Sequence, residues 1–404
     1  WSFVKKKIEL NEQFVNALNR LNTTNKSLFI TGKAGTGKST LLTHFQKETS
    51  RKVVILAPTG VSALNVQGQT IHSFFGFPPS ITPEKVRREK ASNTLLEILK
   101  HLDVIVIDEV SMVRADLMDC IDEALRLFLH TSEPFGGVQM VFIGDLHQLP
   151  PVVAGEEERQ LFRTEYASPY FFDAKVFGNT QFDFLELVKI YRQKDQEFIK
   201  LLNKVRNNKI SALDLDKLNA RVLPDPQTFH NKDHSYITLT STNDAANEIN
   251  NLRLERLPSS TESYEATLSG EFEGRNHPTL AQLKVKKGAQ IMMLNNDKEG
   301  RWVNGSIGKI ISIEFDDFSG EDVLHIQLEG AKKIVKVEPY TWELHKYSWN
   351  SEKSEMETDT IGSFRQYPVR LAWAVTIHKS QGKTFDKVVV DIGKGAFTHG
   401  QVYV

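Results

Sequence analysis

Ser27–Glu48, SLFITGKAGTGKSTLLTHFQKE, is the stretch whose reading decides the fold. A short apolar run, Ser27–Thr31, enters a glycine-rich turn, and a helical pattern follows at once from Thr40 to Glu48. Strand, turn and helix in that order form one half of a parallel β–α–β unit. Working outward, Val53–Ala57, Val104–Ile107 and Val138–Ile143 are further apolar runs of strand length, each ending in a polar or glycine-bearing turn. Runs apolar on both alternating faces belong to strands covered on both sides. The expectation is an α/β fold with a parallel sheet, ligands gathering at the carboxyl ends of its strands.

A chain of 404 residues exceeds one ordinary core. From about 178–186 the sequence changes texture. An amphipathic helix is expected from Gln196 to Asn207, and Tyr236–Thr240 and Val388–Ile392 read as strands of a second α/β unit. Between them, Ile307–Phe315, Val323–Leu328 and Ile334–Val337 alternate with period two between Asp/Gly turns, as a small inserted antiparallel barrel does. Segment 350–360 is polar and reads as a loop. The expected division is 1–180, 181–300, the barrel at 301–360, and 361–404 completing the second domain. The chain begins at Trp1 rather than Met, as a trimmed fragment would. No run approaches eighteen apolar residues, and no targeting segment is recognisable, so a cytoplasmic protein without a membrane span is expected. The single Cys120 excludes an internal disulfide. A net charge of −1 gives no bulk attraction to a polyanion, so nucleic-acid contact requires a local groove.

Gly32–Ser39 has the spacing of a phosphate-binding loop. Gly35 and Gly37 let the backbone N–H groups of the turn, with those of Thr36 and Thr40, converge on phosphate oxygens. Lys38 supplies charge for the β- and γ-phosphates, and Ser39 a hydroxyl for Mg2+. Asp108 and Glu109 follow a buried strand. The first suits a metal held through water, the second a base that activates the attacking water. Gln148, in FIGDLHQLPP (Phe142–Pro151), carries a neutral amide able to sense a γ-phosphate.

GKAGTGKST, APTGVSALNVQGQTIHSFF, VIDEVSM, PFGGVQ, FIGDLHQLPPV, IYRQKDQEFIKLLNKVR, LTSTNDAANEIN, WVNGSIGKI and LAWAVTIHKSQGKTFDKVVVDI occur in this order. Together they resemble the Pif-type (petite integration frequency) DNA helicases of superfamily 1B, with RecD more distant. The resemblance runs from about Leu10 to the end. It implies two RecA-like domains sharing one ATP, an Src-homology-3-like barrel inserted in the second, and a monomeric, DNA-stimulated ATPase. Such a motor moves 5′→3′ on single-stranded DNA, opens forks and quadruplexes, and serves repair, replication and telomere maintenance. It further implies that Gln13 reads adenine, although it stands two residues farther from the first strand than the pattern places it. Arg192 would be a finger reaching the γ-phosphate from the second domain, and Gly382 would lie by the nucleotide. The sequence stops at Gly400–Val404, where the family pattern continues to another arginine.

For the DNA strand, the resemblance implies that the turns Thr59–Gly60 and Thr242–Asn243 are paired phosphate clamps and that His378, Lys379 and Gln381 link that clamp to the nucleotide. The aromatic stretch from His72 to Pro79 could stack a base or split a fork as part of a wedge-like segment at 72–90, with Phe77 and Pro78 the better wedge candidates. Phe74 and Phe75 read more readily as core. Lys284–Lys287 and Lys332–Lys336 fit either DNA contacts or solvated strand faces. Two rivals remain at this stage: a P-loop ATPase that remodels proteins, and a DNA-binding module with impaired hydrolysis.

Overall fold

The computed structural model describes residues 11–404 except 154, 179, 181, 192–194, 223–235, 273–276, 382, 384, 386, 394 and 397. Two compact units emerge: Trp1–Leu146 with Pro150–Gln193 and Leu344–Thr360, and His147–Leu149 with Lys194–Glu343 and Ile361–Val404.

The first unit is built on strands β1 (Leu28–Gly32), β2 (Val53–Ala57), β3 (Gln69–Thr70), β4 (Val104–Ile107), β5 (Gln139–Gly144) and β6 (Asp183–Leu187). They form one sheet in the order β3-β2-β4-β5-β1-β6, parallel throughout. Alternation splits each strand between two cores. Leu28, Ile30, Val104, Val106, Val141 and Ile143 pack with Phe14, Leu41 and Phe45 on one face. Phe29, Ile105, Ile107, Met140 and Phe142 pack with Met118, Phe135 and Phe171 on the other. Burial on both faces is what the unbroken apolar runs imply. The helix Glu12–Thr23 joins the first core through Phe14, Ala17 and Leu21, a 3.6-residue stripe, and is started by the Asn11 side chain accepting from Phe14 N–H at 2.8 Å.

β6 corrects the expected boundary at 180/181. Asp183–Leu187 pairs with Leu28–Gly32 along its whole length, so the first unit continues to Gln193. Its exposure alternates, because an edge strand needs an apolar side chain only on its covered face.

The second unit has a three-stranded parallel sheet, β18-β7-β19, where β7 is Ile237–Thr240, β18 is Ala374–Thr376 and β19 is Val388–Asp391. Between β7 and β18 lie β8 (Glu262–Glu265), β9 (Thr267–Gly270), β10 (Gln282–Val285), β11 (Gln290–Met293), β12 (Ile307–Asp316), β13 (Glu321–Leu328), β14 (Ile334–Val337), β15 (Tyr340–Asn350), β16 (Glu355–Gln366) and β17 (Val369–Leu371). Five of these make the antiparallel sheet β14-β13-β12-β11-β17 around a core of Ile291, Met293, Ile310, Leu324, Ile326 and Val369. The antiparallel region therefore spans 262–371, wider than the expected 301–360. Its early strands are four residues long and mostly exposed on one side, which hides them in the sequence.

The segment 350–360 is not a loop throughout: Glu355 onward is strand, paired with β15 in a long hairpin. Leu344–Thr360 groups with the first unit. Within that unit Tyr347 is buried, and its phenol oxygen accepts the Ile55 N–H at 3.1 Å beside the two-residue strand β3. Trp349 stacks flat on His101 with 3.8 Å between ring centroids. Tyr347→Phe should leave the Ile55 donor buried without a partner and cost about 1–3 kcal/mol. Urea unfolding followed at first-unit probes measures this, and an unchanged midpoint would refute the role given to the phenol.

Candidate functional site

In the first unit, polar chemistry begins where the buried strands stop. After β1 the chain turns through Gly35 (φ 78°) into Gly37 (φ 91°), which precedes the helix Lys38–Glu48. Gly37 has no substitute. A Cβ there would sit 2.9 Å from the Phe14 ring, in a backbone region that L-residues avoid. The Thr36 hydroxyl donates to Lys33 O at 2.9 Å and draws the turn into a ring. Lys38 Nζ donates to Gly32 O at 2.7 Å and Lys33 O at 3.2 Å, holding its charge at the mouth of that ring. Ser39 and Thr40 follow in the first turn of the helix, whose free N–H groups and dipole favour an anion.

Asp108 lies directly after β4 and is buried. Burial raises its carboxyl, the Glu109 N–H and the Lys38 charge oppose the rise, and the upward direction prevails. Glu109 is held in the left-handed region at φ 51°, ψ 41°, an unfavourable setting for a side-chain-bearing residue. Its side chain is only half-buried. One carboxylate is thus buried and feels the charge of a lysine, while the next residue is half-buried on a left-handed backbone. A divalent cation fits this set. Mg2+ takes a hydroxyl and one or two carboxylates from protein and the rest from phosphate and water, and it would relieve the desolvation that Asp108 suffers. Among the described residues no cluster of three or more His, Cys, Asp or Glu offers a closed metal cage.

Gln13 stands at the edge of this region. Its amide donates to Glu186 O and accepts from Val188 N–H, both at 3.0 Å, and so fixes the exit of β6. Sequence reasoning missed Tyr191. Its N–H donates to Gly35 O at 2.8 Å, its hydroxyl accepts from Asn11 Nδ2 at 2.7 Å, and its ring approaches Gly37. The signal was present in IYRQ, beside the arginine that drew the attention. Arg192 and Gly382 lie outside the described residues.

Thr59 caps the helix Gly60–Asn65, its hydroxyl accepting Ser62 N–H at 3.2 Å, with φ −128° and ψ 153°. In the second unit Thr242 caps the helix Asn243–Glu255 with φ −127° and ψ 154°. The two turns have the same backbone, one per unit. Asn243 is exposed, whereas Gly60 is buried.

One wedge assignment is overturned. Phe77 is buried in the first unit's core and stacks on Phe75, centroids 5.1 Å apart. Gly76, left-handed at φ 71°, ends the short helix Ile71–Phe75 and folds the next residue back. Phe74 and Phe75 are core as well; His72 is half-buried, and Pro78 is exposed beyond them.

His147–Leu149 groups with the second unit. There the Gln148 side-chain carbonyl accepts from Gln381 Nε2 at 2.8 Å, and Gly400 packs so closely on Gln148 O that a Cβ would approach to 2.1 Å. Gln381 follows the helix Ile377–Ser380, which also carries His378 and Lys379. Burial lowers the His378 imidazole and, with help from Arg370, the Lys379 ammonium.

The PIF1-like helicase family profile matches residues 7–216. The chain is 31% identical to the ATP-dependent DNA helicase PIF1 of Emericella nidulans, over 94% of this chain but 56% of that protein, so it spans about half the length of the first curated relatives it matches. The crystal structure of Bacteroides sp Pif1 in complex with ADP-AlF4 superposes with a TM-score of 0.89 at 36% identity, covering 98% of this chain and 89% of that one. Bacteroides Pif1 bound to ssDNA matches over the same shares at 35% identity and a TM-score of 0.65. With the fold, the ordered motifs and these likenesses in agreement, the chain belongs to the PIF1-like helicase family.

Proposed function

We propose that the chain is the motor of an ATP-dependent DNA helicase that tracks 5′→3′ along single-stranded DNA and opens forked or quadruplex DNA. The observation that carries the ATPase half is Glu109, held in a strained backbone directly after the buried Asp108, whose carboxyl feels the Lys38 charge. Support for the DNA half comes from the matched turns at Thr59 and Thr242, and from relatives solved with ssDNA. The direction rests on the motif order shared with the family.

In this reading the Gly35–Ser39 turn holds the phosphates, and Lys38 leaves its two carbonyls for the β- and γ-oxygens. Ser39 and Asp108 would hold Mg2+, which supplies charge neutralisation as the γ-phosphate departs. Glu109 accepts the proton of the attacking water. Gln148 reads the γ-phosphate, and its bond to Gln381 passes that state to the strand-holding helix. Arg192 serves as the finger, and Gln13 exchanges its β6 contacts for the adenine edge. Tyr191, anchored to Gly35, places a flat ring for the base.

Hydrolysis should rise strongly with oligo-dT. Glu109→Gln should lower the stimulated rate by about 10²–10⁴ while leaving nucleotide affinity near wild type. Lys38→Ala should abolish unwinding yet spare DNA affinity; unwinding that survives Lys38→Ala sinks the ATP assignment. Strand displacement on duplexes with a 5′ or a 3′ tail reads direction, and preference for the 3′ tail overturns the polarity.

Asp108→Asn yields a prediction of opposite sign for stability and activity. A carboxyl raised on folding weakens the fold once ionised, so that loss is absent below the ordinary carboxylate range and grows as pH rises through it. Asp108→Asn should therefore melt above wild type at neutral pH without nucleotide, the gap closing in acid, while magnesium-dependent hydrolysis is lost. A lower melting temperature at neutral pH would contradict the account of Asp108.

A further inference from the structure

The two lysine clusters of the sequence find a common place in the second unit. Lys286–Lys287 run directly into Gly288, and Lys332–Lys333 follow directly on Ala331. Gly288 and Ala331 line one cavity of about 470 Å³, together with Gln290, Ile307, Gln327 and Trp373. Segments far apart in the chain therefore bring lysines to one rim. Lys287, Lys332 and Lys333 are exposed, and among the described residues none of them is paired with a carboxylate. Lys309 lines the cavity as well, against the single acid Glu329.

The floor of the cavity is a polar row. Gln290 of β11 is directly opposite Lys309 of β12, which is opposite Gln327 of β13. Opposed residues of antiparallel strands share a face, so the row crosses three strands. Gln290 is only 8% exposed, and its Nε2 donates to Tyr236 O at 3.0 Å and Ala372 O at 2.8 Å. Gln327 Nε2 donates to Leu328 O at 3.2 Å and Ala331 O at 2.5 Å. Each amide has thus spent both hydrogens on backbone carbonyls, which fixes its orientation. Among the described residues neither Oε1 meets a donor. Two aimed acceptors in a cavity ask for a ligand with N–H groups. Neighbouring strands stand roughly 4.8 Å apart, so the two glutamines lie about two such steps from each other. That is wider than the hydrogen-bonding edge of one nucleobase, and a phosphodiester has no hydrogen to give. An extended peptide advances about 3.1–3.4 Å per residue, so three residues bridge the gap with donors to spare.

We propose that this cavity docks an acidic, extended peptide segment of a partner protein. The segment's N–H groups donate to Gln290 Oε1 and Gln327 Oε1, an apolar side chain enters against Ile307 and Trp373, and its carboxylates lie toward Lys287, Lys332 and Lys333. The site goes beyond the helicase reading and does not depend on it. Random peptides displayed on phage are selected on the full chain, and the strongest binder is synthesised with a fluorescent label. Acidic segments around an apolar residue should be enriched. The labelled peptide should bind about tenfold more weakly to Ala331→Trp, which fills the cavity mouth, and to the double variant Lys332→Glu, Lys333→Glu. Lys332→Arg with Lys333→Arg should keep wild-type affinity, and oligo-dT affinity should be unchanged in every variant. Enrichment of no peptide, or of basic ones, overturns the proposal, as does equal binding of the labelled peptide to wild type and both disrupting variants. Loss of oligo-dT affinity in place of peptide affinity assigns the cavity to nucleic acid and overturns it too. If Ala331→Trp unfolds, the reversal of two exposed lysines decides alone.

Discussion

A parallel strand covered on both faces can bring polar chemistry to a ligand only at its carboxyl end, and the first unit is organised around that limit. β1, β4 and β5 lie in the middle of the sheet, with their backbones satisfied by neighbours and their side chains in apolar cores. Candidate site residues follow where two of these strands end: the glycine-rich loop after Gly32, and Asp108–Glu109 directly after Ile107. The adjustment from buried strand to working group is abrupt, and backbone strain appears where it is sharpest. Glu109 takes a left-handed conformation directly after the buried Asp108, and its own side chain is only half-buried.

The same economy ties the edge strand to the loop. Gln13 pins the exit of β6 with both ends of one amide, and Tyr191 N–H bonds Gly35 O three residues later. The chain up to Tyr191 is thereby fastened to the glycine-rich loop. On the proposed reading, a nucleotide that reorganised Gly35 would pull on Tyr191, and an adenine that took the Gln13 amide would release Val188. Both disturbances enter the same short segment. Coupling of this kind needs no long pathway, because the two partners share hydrogen bonds.

The central strands and the glycine-rich turn after β1 were legible because their determinants are local: continuous apolar runs and glycine spacing. β6 was obscured because an edge strand alternates, and Asp183–Leu187 offers two buried residues instead of five. Phe77 misled for a related reason. Its Gly and Pro neighbours do exclude a helix interior, but the left-handed Gly76 that ends the helix also turns the ring inward, and that turn is visible only in the backbone. Tyr347 could not be found at all, since its partner at Ile55 lies almost three hundred residues away. Gln381 was chosen from the resemblance, and its bond to Gln148 gives that choice a physical form.

A motor on a polyanion needs a hold firm enough to register and weak enough to release. A uniformly basic surface would give the first at the expense of the second, since each added phosphate contact steepens dependence on counterions. A net charge of −1, with no bulk attraction to a polyanion, is compatible with that need. On the proposed reading, the neutral caps at Thr59 and Thr242 would touch phosphates without adding charge. Register would then be set, on that reading, by hydroxyls and backbone rather than by charge, and the Gln148–Gln381 bond would carry the nucleotide's state to the helix Ile377–Ser380.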